Sequence, residues 1–435
     1  MSRRRATHLA VVLSIVAQLG CVGAGALAQP DTAPVSEQAR AVFERARDRL
    51  LQVRMIDRST EAQASIGSGW IASSDGLALT NYHVVSQFVL EPDRYAVEFV
   101  RSDGARGPLV VLAVDVIHDL AVVRMPGGDL PFLRLHEDTL RKGDRGFAMG
   151  NPRDLGLTIV EGTYNGLVEF TLNEQFHFTG AINAGMSGGP AVTADGRVFG
   201  INVANLRDGQ LVSFLVPVRF ARDLLELAPR EAPEPESLRG AVERQLLARQ
   251  ESLATRIGSQ PLPVSAFGRY FVPDSLGPYM RCWGDSELDR TLPYEISMKQ
   301  CDAQGTLFIS GSFDTGDLRY RHELIRSSKL GALRFSSLYE RSFSRPFPER
   351  GGTREDVTPF RCHEDFVTVG GGTLRVAMCL RAYKRLKQLY DLRLKLATLD
   401  RADEGLQSWL TIDGVSFDNG LKLAQRYLEA IRWTR

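Results

Sequence analysis

The sequence predicts an all-β barrel or sandwich followed by an α+β domain that contains disulfides. Short apolar runs divided by turn signals extend from residue 66 to about residue 217, which is the spacing expected of many short strands. An acidic, Pro-rich stretch at 229–236 cannot be a core element and divides the chain. Beyond residue 280 the pattern changes to mixed strands and helices, and four cysteines fall in that region.

The elements of the β region can be assigned in chain order. A helix is predicted at 36–54, because its apolar residues recur on one helical face. Residues 55–228 form the β domain, in which Asp75-Gly76 and Asp195-Gly196 mark hairpin turns, because glycine accepts the positive φ that such turns need. A helix that begins at Val218 closes this domain.

The second half of the chain follows a linker. We assign residues 229–263 to the Pro-rich linker and a polar helix, and residues 264–435 to the accessory domain. Few contacts should cross the linker, so the two domains are expected to be independent. The predicted elements of the accessory domain are strands at 306–313 and 366–380 and helices at 380–399 and 419–433.

The composition is that of an ordinary globular protein. Hydrophobic residues make up 43% and charged residues 24% of the 435 positions, a length that allows about two or three domains. Lys and Arg number 53 against 52 Asp and Glu, so no net field attracts nucleic acid or anionic lipid. We therefore expect no nucleic-acid partner.

The N-terminus has the organisation of a secretory signal. Three arginines at 3–5 precede an apolar run at 9–19, and a small-residue cleavage site follows at Ala28. We predict that residues 1–28 direct export to the periplasm and are removed. Two alternatives stay open: the signal is retained as a membrane anchor, or a lipid is attached at Cys21, although Gln18 stands where lipoproteins have an aliphatic residue.

The cysteines agree with export. Four cysteines in an oxidising compartment should form two disulfides, for which three connectivities exist. Loop closure favours near neighbours, so we predict that Cys282 pairs with Cys301 and Cys362 with Cys379. A metal site at 362–365 is the weaker hypothesis, because no paired Cys-x-x-Cys accompanies it. We predict no metal and no cofactor.

A serine set among glycines lies far downstream of an isolated histidine. Ser187 lies in Asn-Ala-Gly-Met-Ser-Gly-Gly-Pro, His83 follows Thr-Asn-Tyr, and Asp119 opens a buried-strand pattern between them. A serine hydroxyl needs a base with a pKa near neutrality, and an acid that holds the base in the required tautomer. We predict acyl transfer with Ser187 as nucleophile, Asp119 as orienting acid and His83 as base at the end of an apolar strand.

The turn before the serine predicts an oxyanion hole. Backbone N–H groups of Gly185 and Ser187, on either side of Met186, would hold the developing negative charge. Gly188 and Gly189 keep side chains away where the backbone must pass closely.

Two neighbours compete with Asp119 for a catalytic role. Asp115 and His118 are close to it in sequence, but Asp119 immediately precedes the Leu-Ala-Val-Val strand, so we interpret the other two as surface or turn residues. The remaining histidines have no partner pattern and are given no chemical role: they are His136, His177, His322 and His363.

Seven segments carry a family resemblance, in the order 67–71, 79–85, 119–123, 149–152, 155–158, 182–190 and 198–202. Over about 66–227 the chain resembles the protease domain of the trypsin-like serine proteases, in their HtrA/Deg-like bacterial branch. The resemblance implies a double β-barrel and a serine endopeptidase that acts on protein or peptide substrates. It assigns the general base, orienting acid and nucleophile to His83, Asp119 and Ser187.

The resemblance also implies a specificity. In trypsin-like folds the base of the pocket for the residue before the cut lies six positions before the nucleophile, which is Ala181 in this sequence. Ala181 offers neither charge nor length, so small or medium apolar side chains are expected there. The expected walls are Val203, Ala204 and Phe214.

The chain departs from the family in two places. Met186 stands where digestive enzymes have the acid that pairs with a newly cut N-terminus, so activation by clipping is not expected. Residues 237–435 contain no Gly-Leu-Gly-Phe-like loop, so the PDZ module of the branch is not expected.

Two other functions stay open: a catalytically silent binding protein on the same scaffold, and an envelope- or polysaccharide-binding role for the C-terminal region.

Overall fold

The computed structural model describes residues 36–205, 212–287, 291–303, 305–347, 351–369 and 372–433. The predicted signal peptide at 1–28, with Cys21, lies outside these ranges. Among the described helices, none has the length and apolar character needed to cross a lipid bilayer.

The first described element is a short helix, α1 (Glu37–Ala46). Ser36 caps it, because its Oγ accepts a hydrogen bond from the N–H of Ala39 at 3.1 Å. The helix was predicted to reach residue 54, but Leu50 already begins a strand. That strand pairs with neighbours on both sides, and this pairing outweighs the local helical pattern.

The first β unit is a seven-stranded antiparallel sheet. Its strands are β1 (Leu50–Asp57), β2 (Ala62–Ile71), β3 (Leu77–Thr80), β4 (Tyr95–Arg101), β5 (Arg106–Pro108), β6 (Val110–Asp115) and β7 (Leu120–Arg124), with helix α2 (Tyr82–Leu90) after β3. The strand order is β5-β4-β1-β2-β3-β7-β6.

The second β unit is a closed barrel of six strands. They are β8 (Arg145–Gly150), β9 (Thr158–Leu167), β10 (Phe176–Thr179), β11 (Pro190–Val192), β12 (Val198–Asn205) and β13 (Ser213–Pro217), followed by helix α3 (Val218–Leu227). A shared apolar cluster joins the two units, with Trp70 and Leu79 from the first and Phe147 and Met149 from the second. The predicted trypsin-like β-barrel fold is thus present in residues 50–217.

A long helix and a second sheet form the C-terminal region. The elements are α4 (Pro235–Gly258), β14 (Val264–Phe267), β15 (Tyr270–Pro273), β16 (Met280–Glu287), β17 (Glu295–Ala303), β18 (Leu307–Ser310), β19 (Phe313–Thr315), β20 (Leu318–Arg326), α5 (Ala332–Phe343), β21 (Arg361–Val369), β22 (Gly372–Ala382), β23 (Tyr390–Thr398), β24 (Glu404–Val415), α6 (Phe417–Ala430) and β25 (Arg432–Trp433). The main sheet has the order β16-β17-β20-β24-β23-β22-β21.

The helix predicted at 380–399 is wrong, because that segment contains the end of β22 and all of β23. Leu392, Leu394 and Leu396 alternate with Arg393 and Lys395, and this period of two is the pattern of a strand. The three leucines lie in the apolar core of the C-terminal region. Arg393 and Lys395 are also buried, on the opposite face of the sheet.

The C-terminal region is not independent of the β-barrels, contrary to the expectation from the linker. Gln245 on α4 bonds both the N–H of Val116 and the carbonyl of Val114, at 2.8 and 2.7 Å. Arg385 forms an ion pair with Glu91 at 2.8 Å. One apolar cluster draws side chains from α2, α4 and the C-terminal region, including Val85, Val89, Leu238, Val242, Leu307, Ile309, Phe313, Tyr383 and Leu389.

Two disulfides have the predicted pairing. Cys282 is bonded to Cys301 and Cys362 to Cys379. In each case the two residues face each other directly on neighbouring strands. The bridges therefore join β16 to β17 and β21 to β22, so each edge strand of the main sheet is covalently tied to its neighbour.

Reduction of these disulfides is expected to destabilise the C-terminal sheet. The bridged residues are 19 and 17 positions apart, and closing loops of that length stabilises a fold by about 3 kcal/mol each. Loss of both should lower the melting transition of this region by roughly 12 to 24 °C. Non-reducing mass spectrometry and a melt with dithiothreitol check this. Free thiols, or an unchanged melting curve, would show the prediction to be wrong.

Candidate active site

His83 and Asp119 are brought together at one end of the neighbouring strands β3 and β7 of the first sheet. Oδ2 of Asp119 lies 2.6 Å from Nδ1 of His83, and Oδ1 accepts the backbone N–H of His83 at 2.8 Å. His83 was predicted to end a strand; it is in fact the second residue of α2, two positions beyond Asn81 at the helix N-cap. The carboxylate thereby fixes both the ring and the start of its helix.

The backbone conformation of Asp119 directs its carboxylate toward His83. Its φ of +57° lies in the left-handed region that non-glycine residues rarely adopt. Nδ2 of Asn81 donates to the Asp119 carbonyl at 2.7 Å and so holds this conformation. Strained backbone of this kind is concentrated at functional sites.

The competing residues form a separate pair. Asp115 accepts the N–H groups of Ile117 and His118 and lies 2.6 Å from Nδ1 of His118. The His118 ring stacks on Phe220 of α3, with 3.6 Å between ring centroids. Asp115 and His118 therefore shape the turn that leads to Asp119 and do not contact His83.

The environment of His83 raises the pKa of its ring. Burial lowers the pKa of His83, but the charge of Asp119 and its hydrogen bond together raise it by more. The pKa of His83 therefore lies above the ordinary value for imidazole. Asp119 stabilises the imidazolium, which is the form that a general base acquires when it takes a proton.

Ser187 lies in a tight turn at the junction of the two β units. Its Oγ donates to the carbonyl of Val203 at 2.7 Å, and no hydrogen bond joins it to His83 in this structure. Such catalytic contacts often tighten only when substrate is bound. The turn is close to the histidine helix, because a Cβ on Gly188 would lie only 2.9 Å from the backbone nitrogen of Asn81.

The turn before Ser187 presents amide groups. The N–H of Met186 donates to the carbonyl of Asn183 at 3.0 Å, and Gly185 between them has φ +94°, which defines a type II turn. The carbonyl of Ala184 is held by the N–H of Arg153 at 3.1 Å. In a trans peptide the N–H of Gly185 must then point the opposite way.

The two amides predicted to form an oxyanion hole, the backbone N–H groups of Gly185 and Ser187, have no acceptor among the described residues. Unpaired donors beside a nucleophile can bind the oxyanion of a tetrahedral intermediate. Met186 itself is fully buried among apolar side chains of the second barrel, including Phe178 and Leu215. The side chain of Met186 therefore anchors its part of the turn by apolar packing.

Several buried polar residues hold the turn and were missed from the sequence. Oγ of Ser68 donates to the Gly185 carbonyl at 2.7 Å and accepts the N–H of Asn151 at 2.8 Å. Nδ2 of Asn202 donates to the carbonyls of Met149 and Met186. Ser68 and Asn202 lie within the segments that carry the family resemblance, which is the only sequence signal for them.

The predicted pocket residues lie on or just after strands β10, β12 and β13 of the closed barrel. Ala181 follows β10 and is exposed. The half-buried Phe214 on β13 is paired with Ala204, whose side chain lies outside the described part of the structure. The carbonyl of Val203 accepts the hydrogen bond from Oγ of Ser187. Sequence reasoning missed Ser213, whose Oγ donates to the Gly180 carbonyl at 2.6 Å beneath this region.

Of the other histidines, His322 is structural and His363 is exposed. His322 is fully buried, and its Nε2 donates to the Pro273 carbonyl at 3.1 Å while Nδ1 lies 2.9 Å from Oγ of Ser408. Burial lowers the pKa of His322 to about 3, so the ring stays neutral. His363 is exposed on β21. Neither His322 nor His363 contacts the site around Ser187.

One aromatic contact of the site comes from outside the barrels. The ring of Phe308, on β18 of the C-terminal region, meets the His83 ring edge-on, with 5.7 Å between centroids. Sequence reasoning missed it, because residue 308 is separated from His83 by more than 200 positions and lies in no motif.

Part of the chain is similar to known proteins. Residues 67–201 match the family described as a trypsin-like peptidase domain. "Serine protease HTRA2, mitochondrial" of Drosophila willistoni is 35% identical over 174 residues, which are 38% of this chain and 39% of that protein. "Probable periplasmic serine endoprotease DegP-like" of Chlamydia muridarum is 33% identical over 181 residues, 39% of this chain and 35% of that protein. The chain thus spans well under half the length of these relatives.

A solved structure is also similar. The crystal structure of the serine endoprotease from Yersinia pestis aligns with a TM-score of 0.38 and 28% sequence identity, over 43% of this chain and 65% of that one.

Proposed function

From the match of residues 67–201 to the family described as a trypsin-like peptidase domain, we propose that the protein is a serine endopeptidase that cleaves peptide bonds through an acyl-enzyme. The observation that carries the proposal is the contact of one carboxylate, Asp119, with both the backbone N–H and Nδ1 of His83. This is the arrangement that orients a general base.

The proposed reaction assigns one role to each group. Oγ of Ser187 attacks the scissile carbonyl carbon while Nε2 of His83 takes the hydroxyl proton, and Asp119 stabilises the resulting imidazolium. The N–H groups of Gly185 and Ser187 bind the oxyanion. The intermediate then expels the amine, which receives the proton from His83, and water hydrolyses the acyl-enzyme by the same route.

The proposed specificity is for small or medium apolar side chains before the cut. Ala181 offers no charge to a substrate, and Val203 and Phe214 contribute apolar surface beside the serine. An acid at position 181 would be needed to select Arg or Lys. Cleavage of a peptide library by the full chain should therefore favour Ala, Val or a residue of similar size. A cleavage pattern dominated by Arg or Lys would contradict this assignment.

A silent binding protein on the same scaffold is the alternative. The two functions differ in whether Ser187 reacts. A fluorophosphonate probe forms a covalent bond only with an activated serine, so the enzyme should be labelled at Ser187 and nowhere else. Absence of labelling in a folded, monodisperse sample would favour the binding protein.

Export to the periplasm belongs to the same proposal. The secretory pattern at 1–28 supports it, and two disulfides suit an oxidising compartment. The Chlamydia muridarum relative is named as periplasmic. Fractionation should place the protein in the periplasm with a mass that lacks residues 1–28; full-length protein in the cytoplasm would contradict this.

A further inference from the structure

We propose that the β18–β19 hairpin of the C-terminal region forms one wall of the substrate cleft, and that Phe308 contributes to an apolar subsite for the residue after the cleaved bond. The inference rests on the proteolytic function proposed above. It gives a role in substrate selection to a segment outside residues 67–201, the part that matches the peptidase family.

The hairpin is fixed directly on the histidine helix. The hydroxyl of Tyr82, the residue before His83, donates to the carbonyl of Ile309 at 3.2 Å. Tyr82 is fully buried. If the hairpin moved away, this buried hydroxyl would lose its acceptor, and an unsatisfied buried polar group is costly.

Alternation along β18 aims Phe308 at His83. Leu307 and Ile309 are only 3% and 2% exposed, and both lie in the apolar cluster shared with α2. Successive side chains of a strand point to opposite faces, so Phe308 leaves the strand on the side opposite to Leu307 and Ile309, while its partly buried side chain still packs against the same cluster. There its ring meets the His83 ring at 66°, in the edge-on geometry that aromatic rings favour.

The chemistry places a particular part of the substrate beside this ring. His83 returns its proton to the amine of the departing half, so the residue after the cut lies next to the imidazole during the reaction. Nδ1 of His83 is already occupied by Asp119. Phe308 is half-buried, so part of its ring remains open to a ligand.

An aromatic ring at this position selects substrates by apolar contact with the side chain after the cleaved bond. Large apolar side chains after the cut would gain contact with the ring, whereas charged ones would lose hydration against it. We therefore expect faster cleavage of substrates with Phe or Leu after the cut than of those with Asp or Lys there.

The test compares substrates that share one acyl half. One is a methyl ester, which has no residue after the cut, and the other is a peptide with Phe at that position. In the full chain, Phe308→Ala should lower kcat/KM for the peptide by roughly 10-fold more than for the ester, the effect of losing one apolar contact. Phe308→Leu keeps an apolar group and should give an intermediate ratio.

A matched control is available on the same domain. Phe366 is 62% exposed on β21, and Phe366→Ala should leave both substrates unaffected. If Phe308→Ala does not fold, judged by its melting curve, the peptide-to-ester ratio of Phe308→Leu still decides the matter.

Two results would overturn the subsite. A parallel loss for ester and peptide would mean that Phe308 only supports His83, and an unchanged ratio would mean that it contacts no substrate. A wild-type chain that hydrolyses neither substrate would refute the proteolytic function itself, and the subsite with it.

Discussion

Ser187→Ala is expected to lower kcat on a peptide substrate by about 10⁴- to 10⁶-fold while leaving the fold intact. The nucleophile has no substitute, because the covalent intermediate forms on its oxygen. The hydroxyl contributes little to packing, since its one hydrogen bond goes to the carbonyl of Val203. Steady-state kinetics and a melting curve of the purified variant measure both effects.

The controls separate loss of chemistry from loss of structure. Ser74 is exposed in the turn before β3, and Ser74→Ala should keep wild-type activity and fluorophosphonate labelling. His83→Ala should be about as inactive as Ser187→Ala, because the two residues act as a unit. More than about a tenth of wild-type activity in pure Ser187→Ala would refute the assignment of the nucleophile.

Asp119→Asn is expected to lower kcat by about 10⁴-fold, because the amide no longer holds the required tautomer of His83. The pH dependence should change as well. Asp119 is the source of both effects that raise the pKa of His83, while burial lowers it. Without the carboxylate the pKa of His83 falls, so the acidic limb of the kcat/KM profile should move to lower pH in the residual activity.

Asp115→Asn is the matched control for this prediction. Asp115 holds His118 at the same distance, 2.6 Å, as Asp119 holds His83. Asn keeps the oxygen that accepts the two turn N–H groups, so activity and the acidic limb should stay near those of the wild type. Equal losses in the two variants would mean that the roles of Asp115 and Asp119 have been confused.

The local pattern predicted several elements because the signal for each is short-range. A polar helix was predicted to follow the Pro-rich stretch within 229–263, and the structure has helix α4 at Pro235–Gly258. The disulfide pairing followed from loop closure between near neighbours. Each of these predictions depends on residues within about one turn or one loop of each other.

The helix predicted at 380–399 was wrong for a different reason. Its Leu, Arg and Lys residues are good helix formers, but Leu392, Leu394 and Leu396 recur with the period of two that is typical of a strand. In the structure β23 has partners on both sides, β22 and β24. Pairing on both edges and burial of both faces stabilise the strand over the helix.

The sequence by itself determined which residues are candidates for catalysis and which fold supports them. Glycines around Ser187, the isolated His83 and the acid at Asp119 are chemical signals that residue type and order carry. Their roles remain predictions until the variants are measured.

Only the tertiary structure decided what surrounds those residues. The contact of Phe308 with His83, the packing of Met186 and the shared core across the linker join residues that are distant in the chain. Such contacts depend on how whole faces of sheets and helices fit together. Burial of apolar surface is favourable against any partner of complementary shape. No local pattern records which partner that is.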